Sequence, residues 1–343
     1  MNKLIIAIVM SSFIYAQCLG DVNDDYVINI QDVVLVVNNI IYSTDIDYSA
    51  DINEDGYVNV LDIVSITNII LNGENPCAYP IDIIYNIHES LPDDWVSEFY
   101  TIIDNLSDLI PANQNHFDEL TVYAWNSNVE DPYPGIEGGQ YIGGSDDGLI
   151  MVLEIYDMEF VWDHMHRYSV IAHEYFHVYQ LSINEPMNQP NGQYNPNGFD
   201  IKWLIEGTAA VFESMYVQNY YNYNYFINDL IYADLSYSIH TNPSIFESYN
   251  SDNIDINGSS SVFMVLVLAK ELIELGHSEE DAFKMIFKDF MLTGAKNSNW
   301  EDYFLETFGF SVYDFYTSLQ LYPLNLQDVV PSSSLSLQQI FNY

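Results

Sequence analysis

A pattern of 21 residues occurs twice near the start of the chain, with an offset of 30 residues. The first copy reads DVNDDYVINIQDVVLVVNNII from Asp21, and the second reads DINEDGYVNVLDIVSITNIIL from Asp51. An internal repeat constrains the fold strongly, because each copy is expected to adopt the same local structure. The two copies therefore predict a pair of equivalent loop-and-helix segments.

Oxygen-bearing side chains recur at positions 1, 3, 5, 9 and 12 of both copies. Oxygen atoms at this spacing wrap a calcium ion in a tight loop, and the backbone carbonyl of position 7 completes the ligand shell. An apolar helix is predicted after each loop, over about residues 31–41 and 61–71. The predicted calcium ligands are Asp21, Asn23, Asp25, Val27, Asn29 and Asp32 in the first loop, and Asp51, Asn53, Asp55, Tyr57, Asn59 and Asp62 in the second.

Residues 20–73 resemble a type I dockerin module. Both loops have Asp at position 12, where many calcium loops have Glu, and no helix is predicted before either loop. The resemblance implies a small all-α domain that folds around calcium and docks to a cohesin domain; a calcium-stabilised domain without a partner is the alternative. Tyr26 occupies position 6 of the first loop, where Gly56 supplies the expected sharp turn in the second, so weaker calcium binding is expected in the first loop.

The first residues, MNKLIIAIVMSSFIYAQC, contain an apolar run that ends at the small residue Ala16. The run is too short for a comfortable membrane span and is typical of a signal peptide over residues 1–16, which predicts a secreted protein. A second interpretation, lipid anchoring through Cys18, is disfavoured by Gln17, because a small residue is expected there. In an exported chain the two cysteines predict a disulfide between Cys18 and Cys77, with two unpaired thiols as the alternative.

The charge of the chain is strongly acidic. Its 343 residues include 7 Lys and Arg against 50 Asp and Glu, a formal net charge of -43. Such a surface repels nucleic-acid phosphates and anionic membranes, which excludes nucleic acid as a partner. No later apolar run reaches membrane-spanning length. The predicted organisation is a signal peptide over 1–16, a dockerin-like domain over 17–78 and a larger domain over 79–343.

The larger domain is predicted to be α+β, because strand patterns come first and helical patterns follow. IDIIYNIH, FDELTVYAW and GLIMVLEIY are predicted strands, and SEFYTIIDNLSDLI is a predicted helix. The Pro- and Gly-rich stretch DPYPGIEGGQYIGG is predicted to be a loop between the last two strands. Further helices are predicted from about residue 163, over about 201–220, and in SSVFMVLVLAKELIELG and EDAFKMIFKDFML.

The segment VIAHEYFHVYQ contains His173 and His177, four residues apart, with Glu174 directly after the first. Residues four apart share one face of a helix, so both imidazoles can reach a single metal ion. HExxH is the spacing of zinc metalloproteases because two neutral imidazoles hold the metal while the carboxylate takes a proton from water. A core helix with two hydrogen-bonded histidines is the alternative.

A third ligand is available in WLIEGTAAVFES, where Glu206 follows His177 after 28 intervening residues. An antiparallel second helix can bring its carboxylate to the metal and leave a fourth position for water. AHEYFHVYQ and WLIEGTA resemble the two metal-binding helices of the gluzincin metallopeptidases, a resemblance that covers residues 121–276. It implies zinc bound by His173, His177 and Glu206, with Glu174 as general base and a protein or peptide as substrate.

Three further features bear on this hypothesis. Glu213, seven residues after Glu206, is predicted to accept a hydrogen bond from a ligand histidine, with a surface glutamate as the alternative. The strand over residues 149–155 is interpreted either as the edge strand that pairs with an extended peptide or as a core strand. The resemblance implies a Tyr or His that stabilises the oxyanion; Ile256 falls where the family has tyrosine, so Tyr249 is the predicted substitute.

The motifs together predict a secreted zinc-dependent peptidase, attached through its calcium-binding module to a cohesin-type partner. A second hypothesis is a non-catalytic peptidase relative that serves as a binding or scaffolding protein. The missing tyrosine motivates this second hypothesis, and the intact Glu174 opposes it. His164 and His166 precede the motif at a spacing unsuitable for metal ligands and are predicted to be structural or exposed.

Overall fold

The computed structural model describes residues 19–22, 28–42, 48–53, 55–72, 80–114, 116–145, 148–184, 195, 198–249 and 258–341. The chain divides into two compact units, Met1–Ala78 and Tyr79–Tyr343. Several features predicted from the sequence lie outside the described residues: the signal peptide over 1–16, Cys18, Asn23, Asp25, Tyr26, Val27, Cys77 and Ile256.

The described part of the first unit contains two α-helices that pack against each other, α1 (Ile30–Tyr42) and α2 (Val60–Asn72). A single 3-10 turn, Tyr48–Ala50, directly precedes the second repeat. Val36 and Ile66 occupy the same position in the two repeats, and both are fully buried in the small core of the unit. The repeated sequence therefore buries equivalent residues in each copy.

The second unit contains a mixed sheet of four strands: β1 (Asp82–Ile87), β2 (Glu119–Asn126), β3 (Gln140–Ser145) and β4 (Gly148–Ile155). The strand order is β1-β2-β4-β3. β1, β2 and β4 are parallel, whereas β3 runs antiparallel to β4. Parallel neighbours require a crossover connection, which a helix supplies between β1 and β2, and which the loop over residues 127–139 together with β3 supplies between β2 and β4.

The described helices of the second unit outnumber its strands and mostly follow them. They are α3 (Asp93–Leu109), α4 (Asp157–Val161), α5 (His166–Ile183), α6 (Lys202–Tyr221), α7 (Tyr225–Asn228), α8 (Ser238–Thr241), α9 (Gly258–Glu274), α10 (Glu279–Lys284), which continues as a π-helix over Met285–Asp289, α11 (Trp300–Phe308), α12 (Val312–Ser318) and α13 (Leu337–Phe341). Short 3-10 turns connect several of them. The prediction of an α+β architecture is confirmed.

The prediction that residues 131–144 form a loop is wrong for residues 140–144, because Gln140–Ser145 forms strand β3. Gly143 and Gly144 weaken the sequence signal for a strand, but pairing with β4 supplies the backbone hydrogen bonds that stabilise it. β3 therefore occupies the edge of the sheet. The edge interpretation of residues 149–155 is wrong as well, since β4 lies between β2 and β3.

The burial of β4 agrees with its interior position. Met151, Val152 and Leu153 are consecutive residues on alternating faces of the strand, and all three are fully buried. A strand covered on both faces reads as a continuous apolar run. Helix α5 packs against β3 and β4, which places the HExxH segment beside the edge of the sheet.

Helix α3 packs through one apolar face against α5 and contacts β1 through the rings of Phe99 and Tyr85. Trp95, Phe99, Ile102 and Leu106 follow the spacing of a single helical stripe and are buried. Trp95 also donates a hydrogen bond from Nε1 to the carbonyl oxygen of Arg167, at 2.9 Å. This bond fixes the start of α5 against α3, so the helix that carries the two histidines is anchored at its first turn.

Helices α6 and α9 approach each other closely at Gly207. A β-carbon at this position would lie 2.7 Å from the carbonyl oxygen of Ser261 and 2.9 Å from Cγ2 of Val265. The absence of a side chain thus allows the backbone of α9 to pack directly against α6, one residue after Glu206. No helix in the described part of the chain is long and apolar enough to cross a membrane.

We expect Gly207→Ala to destabilise the second unit by about 1–3 kcal/mol, because the added methyl group forces α9 away from α6. Denaturant unfolding followed by tryptophan fluorescence measures this change, since all five tryptophans lie in this unit. Gly258→Ala is the matched control, because nothing lies within 4 Å of a β-carbon there. Equal unfolding midpoints for Gly207→Ala and the parent would show that the close contact is not required.

Candidate metal centre and cleft

Three side-chain atoms from α5 and α6 converge at one point. Nε2 of His173 lies 3.1 Å from Nε2 of His177, and Oε2 of Glu206 lies 3.7 Å and 3.5 Å from these two nitrogens. Tetrahedral geometry with metal–ligand bonds of about 2.0–2.1 Å separates the ligand atoms by roughly 3.4 Å. The measured separations bracket this value, so the three residues fit a zinc ion.

The direction of the two helices explains this convergence. Along α5, His173, His177 and Gln180 contact α6 at Glu213, Glu206 and Ile205 respectively, so the two helices run antiparallel. The three ligand atoms all lie within 4.8 Å of one another. In the described ranges, no other group of three or more His, Cys, Asp or Glu residues is as compact.

Gln180 fixes the orientation of the His177 ring. Nδ1 of His177 lies 2.7 Å from Oε1 of Gln180. Nε2 of Gln180 donates to the carbonyl oxygen of Ile205 at 3.1 Å and to Oγ1 of Thr208 at 2.9 Å, which sets the direction of the amide. Oε1 therefore accepts, Nδ1 of His177 carries the hydrogen, and Nε2 presents its lone pair to the metal position.

Glu213 performs the same function for the other histidine. Its Oε2 lies 3.3 Å from Nδ1 of His173, and only 8% of the residue is exposed, so it is not a surface glutamate. A carboxylate at this atom favours the tautomer in which Nδ1 is protonated and Nε2 is free to bind a metal. Each histidine thus has its own oxygen acceptor, one from α5 and one from α6.

The electrostatics of this point favour positive charge. Two imidazole lone pairs and a carboxylate oxygen face one another, and a proton or a metal ion stabilises such an arrangement. Burial alone would lower the pKa of His173, but the carboxylates of Glu213 and Glu206 outweigh it and hold this pKa well above its usual value. Burial alone would raise the pKa of Glu206, but the two histidines beside it hold this pKa well below its usual value.

Glu174 lies beside the three ligands and lines the same cleft. It is 5% exposed, and its burial, together with the charges of Glu206 and Glu213, raises the pKa of its carboxyl group. The two histidines act in the opposite direction but do not cancel this increase. A carboxyl group with a raised pKa accepts and releases protons closer to neutrality than a solvated one.

The cleft has a volume of about 520 Å³, within the range of small-molecule and peptide sites. Strand β3 forms one wall and α5 another. The lining residues are Gln140, Tyr141, Ile142, Gly143, Gly144 and Leu149 from the sheet, His173, Glu174, His177, Gln180, Leu181 and Asn184 from α5 and its end, and Phe199, Asp200, Ile205, Glu206 and Tyr249. The edge strand of the sheet therefore runs beside the metal position.

Tyr249 also lies at the metal position. Its hydroxyl group donates a hydrogen bond to Oε1 of Glu206 at 2.9 Å, and 43% of the residue is exposed. The predicted oxyanion residue thus contacts a predicted zinc ligand and reaches the cleft. Ile256, at the position that departs from the family pattern, lies outside the described residues.

His164 and His166 lie away from the three ligands. His166 interacts through Nδ1 with Glu159 at 2.9 Å, and Nε2 of His164 lies 3.5 Å from Asp229. The side chain of His164 is 40% exposed. Both contacts are structural, in agreement with the prediction from their spacing.

Equivalent hydrogen bonds occur in the two N-terminal loops. Asp32 accepts from the N–H groups at positions 2 and 9 of the first loop, both at 2.8 Å. Asp62 accepts from the same two positions of the second loop, at 3.0 Å and 2.7 Å. Asp51 also accepts from the N–H group of Gly56, which adopts the left-handed φ of 86° expected at position 6.

The charges of these loops fit calcium. Positions 1 and 12 are buried in both loops, and residues 4–78 contain no Lys, Arg or His that could neutralise them. Buried carboxylates require compensating positive charge, and calcium binds carboxylate and carbonyl oxygens. The described carboxylates of the loops are less tightly gathered than the three candidate zinc ligands, His173, His177 and Glu206. The buried aspartates are Asp21, Asp32, Asp51 and Asp62.

Two residues at the cleft were not identified from the sequence. Gln180 lies three residues after His177 on the same helix. An amide oxygen can reach the histidine ring at this spacing, so the sequence could have identified Gln180 as a partner of His177. Asp200 precedes α6 outside any periodic pattern, and its place in the cleft depends on tertiary packing. Burial and the nearby charge of Glu206 raise the pKa of Asp200 to about 6.

Comparison with protein-family models, with curated proteins and with solved structures gave no match. The geometry of the metal centre and of the two loops is therefore the basis for a functional proposal.

We expect Gln180→Leu to lower the affinity for zinc by about 10–100-fold, because Nδ1 of His177 loses its acceptor and the bridge to α6 is broken. Competition with a chelating dye measures this affinity. Gln218→Leu is the matched control, since Gln218 is another buried glutamine, on α6, and donates to the carbonyl oxygen of Ser332 instead. If Gln180→Leu bound zinc as tightly as the control, the proposed role of Gln180 would be rejected.

Proposed function

We propose that residues 79–343 form a zinc-dependent peptidase of the gluzincin type, and that residues 17–78 form a dockerin-like calcium-binding module. The observation that supports the peptidase best is the convergence of His173, His177 and Glu206 beside the buried Glu174, in a cleft bounded by an edge strand. The signal-peptide pattern makes secretion part of the same proposal.

The three ligands would hold zinc, and Gln180 and Glu213 would keep both histidines in the tautomer that binds it. When bound, zinc supplies Lewis-acid chemistry that polarises a carbonyl group and lowers the pKa of water. Glu174 takes a proton from the attacking water and delivers it to the amine that leaves when the peptide bond breaks. Its burial and raised pKa suit a group that must both accept and release a proton.

The substrate is proposed to bind in extended form along β3. This strand is at the edge of the sheet and contributes five consecutive residues, 140–144, to the lining of the cleft. The unpaired backbone groups of an edge strand can pair with a peptide by adding a strand to the sheet. Gly143 and Gly144 lack side chains that would keep a peptide backbone at a distance.

Tyr249 is proposed to stabilise the oxyanion that forms as the carbonyl carbon is attacked. Its hydroxyl group lies one hydrogen bond from a zinc ligand and therefore close to the reacting carbonyl. The same bond favours a second candidate function, because a hydroxyl group held by Glu206 is not free to donate to a substrate. A peptide-binding protein without catalytic activity is this second candidate.

Replacing Glu174 with Gln tests the peptidase directly. We expect Glu174→Gln to retain zinc and to lose peptide hydrolysis by about 10²–10⁴-fold, since the amide cannot accept the proton. Glu206→Ala is expected to lose zinc as well as activity. Zinc content is measured by mass spectrometry of metals, and turnover is measured on casein and on a mixed peptide library.

The matched control is Glu271→Gln, because Glu271 accepts a hydrogen bond from Tyr322 and does not line the cleft. Hydrolysis by Glu174→Gln at the rate of this control would reject the assignment of the base. Equal zinc content in Glu206→Ala and the parent would reject the third ligand. A parent that binds zinc and peptides but hydrolyses none would support the second candidate.

The first unit is proposed to dock to a cohesin-type domain. Its helices expose apolar side chains at equivalent positions of the repeat: Ile30 and Val60 are 66% and 64% exposed, and Val34 and Val64 are 53% and 51% exposed. Exposed apolar surface of this kind indicates an interaction site. Titration of the full chain with cohesin domains, in calcium and in chelator, tests the partner; failure to bind any of them favours the self-contained calcium domain.

We expect Asp62→Ala to abolish calcium binding in the second loop and to leave the first loop able to bind, because the buried carboxylate at position 12 supplies both charge and ligand oxygens. Calorimetric titration of calcium into the full chain measures the number of sites. Asn68→Ala is the control, since this residue is exposed on the same helix. An unchanged number of calcium ions in Asp62→Ala would remove Asp62 from the ligand set.

A further inference from the structure

The cleft extends beyond the metal position along one face of α5. His177, Leu181 and Asn184 line it at spacings of four and three residues, which places them on one stripe of the helix and its end. The rise of a helix puts Asn184 about 10 Å beyond His177 along the axis. A substrate residue next to the scissile bond therefore has space for a long side chain in this direction.

Helix α6 supplies the opposite side of this extension. Because α5 and α6 run antiparallel, the residues that precede Glu206 in sequence lie beside the C-terminal half of α5. Phe199, Asp200 and Ile205 line the cleft from this side. The far end thus combines apolar side chains from both segments with two polar groups, those of Asn184 and Asp200.

Both polar groups have unused hydrogen-bond acceptors among the described residues. Asn184 is 6% exposed; its Nδ2 contacts Sδ of Met291 at 3.6 Å, but its buried Oδ1 has no partner. The backbone N–H of Asp200 donates to Oδ1 of Asn297 at 2.7 Å, which fixes the position of the residue, whereas its carboxylate forms no ion pair or hydrogen bond with a described residue.

The charges around the cleft are unbalanced. Among the described residues, its lining contains three carboxyl groups, those of Glu174, Asp200 and Glu206, and no Lys or Arg. Lys202 is the nearest cation in sequence, but its Nζ lies 5.6 Å from the centre of the Tyr249 ring and forms no ion pair with Asp200. Zinc would offset the charge of Glu206, which leaves Asp200 without a counter-charge from any residue that the structure describes.

We propose that the far end of the cleft binds a cationic group of the substrate, and that Asp200 determines this specificity. The aliphatic part of a Lys or Arg side chain fits against Leu181, Phe199 and Ile205, and its charged end meets the acceptors of Asp200 and Asn184. The α-amino group at the start of a peptide has the same charge and is the other source of such a group. This specificity rests on the peptidase function proposed above.

The test compares peptides that contain lysine or its neutral isostere norleucine at each position around the scissile bond. For the parent we expect kcat/KM to favour lysine by about tenfold or more at one position, because hydrogen bonds that involve a charged group are stronger than those between neutral groups. Asp200→Asn is expected to lose most of this preference for lysine. Asp200→Lys is expected to reverse the preference, so that a peptide with glutamate at this position is cleaved better than the lysine peptide. Asp302→Asn is the matched control, since it removes one negative charge from an exposed site outside the cleft.

The two sources of positive charge are distinguished by blocking the amino terminus. Acetylated peptides with an internal lysine report on a side-chain site, and neutral peptides with a free amino terminus report on a terminal site. Retention of the lysine ratio in Asp200→Asn, or the absence of any cation preference in an active parent, would overturn the proposal while the peptidase function stands.

An inactive parent would reject the peptidase function but would not decide the specificity. In that case, calorimetric binding of the same lysine and norleucine peptides to the zinc-loaded parent and to Asp200→Asn decides it. Tighter binding of the lysine peptide that depends on Asp200 supports the cation site. Equal binding of both peptides, or binding of neither, overturns it.

Discussion

The packing of α5 against α6 is the contact on which the candidate metal centre depends. Two ligand atoms come from one helix and the third from the other, so a small rotation of either helix would separate them. Gln180 holds the helices in register, because its amide connects His177 to the backbone of α6 at Ile205. Gly207 then lets α9 support α6 from behind. The position of the Glu206 carboxylate thus depends on the packing of three helices, α5, α6 and α9.

The chemistry of the cleft depends on how negative charge is distributed in it. Glu206 and Glu213 face the imidazole rings, where a cation is stabilised from two sides. Glu174 is buried beside them without a direct hydrogen bond in the described structure, which leaves its carboxyl group available to water. Asp200 is farther along the cleft. The same type of side chain therefore has different environments within one cleft, and burial and neighbours distinguish them.

Much of the site is predictable from the sequence because its signals are local. The spacing of His173 and His177 on a helix fixes their common face, and the 30-residue repeat fixes the two loops. Glu213 is predictable from its helical spacing to Glu206. The positions of β3 and Asp200 are not predictable in this way. Gly143 and Gly144 resemble loop residues until β4 pairs with them, and Asp200 reaches the cleft only because two helices run antiparallel.

The same distinction between local sequence signals and long-range packing applies to the sheet. The composition and length of β1, β2 and β4 identify them as strands, but the edge of a sheet is defined by pairing between residues distant in sequence. The continuous apolar run of β4 is typical of a strand covered on both faces, and its interior position agrees with that pattern. Local propensity thus determines which segments form strands, and long-range packing determines which strands pair with one another.

The few basic residues of the chain lie mostly in helices, which bears on how readily one copy of the protein could cleave another. Five of the seven Lys and Arg residues lie within helical segments: Arg167, Lys202, Lys270, Lys284 and Lys288. A helical segment cannot lie extended beside an edge strand unless it first unfolds. If the protein is a peptidase with the specificity proposed above, it would therefore find few cleavable sites in another folded copy of its own chain, and self-digestion would be slow even at high concentration.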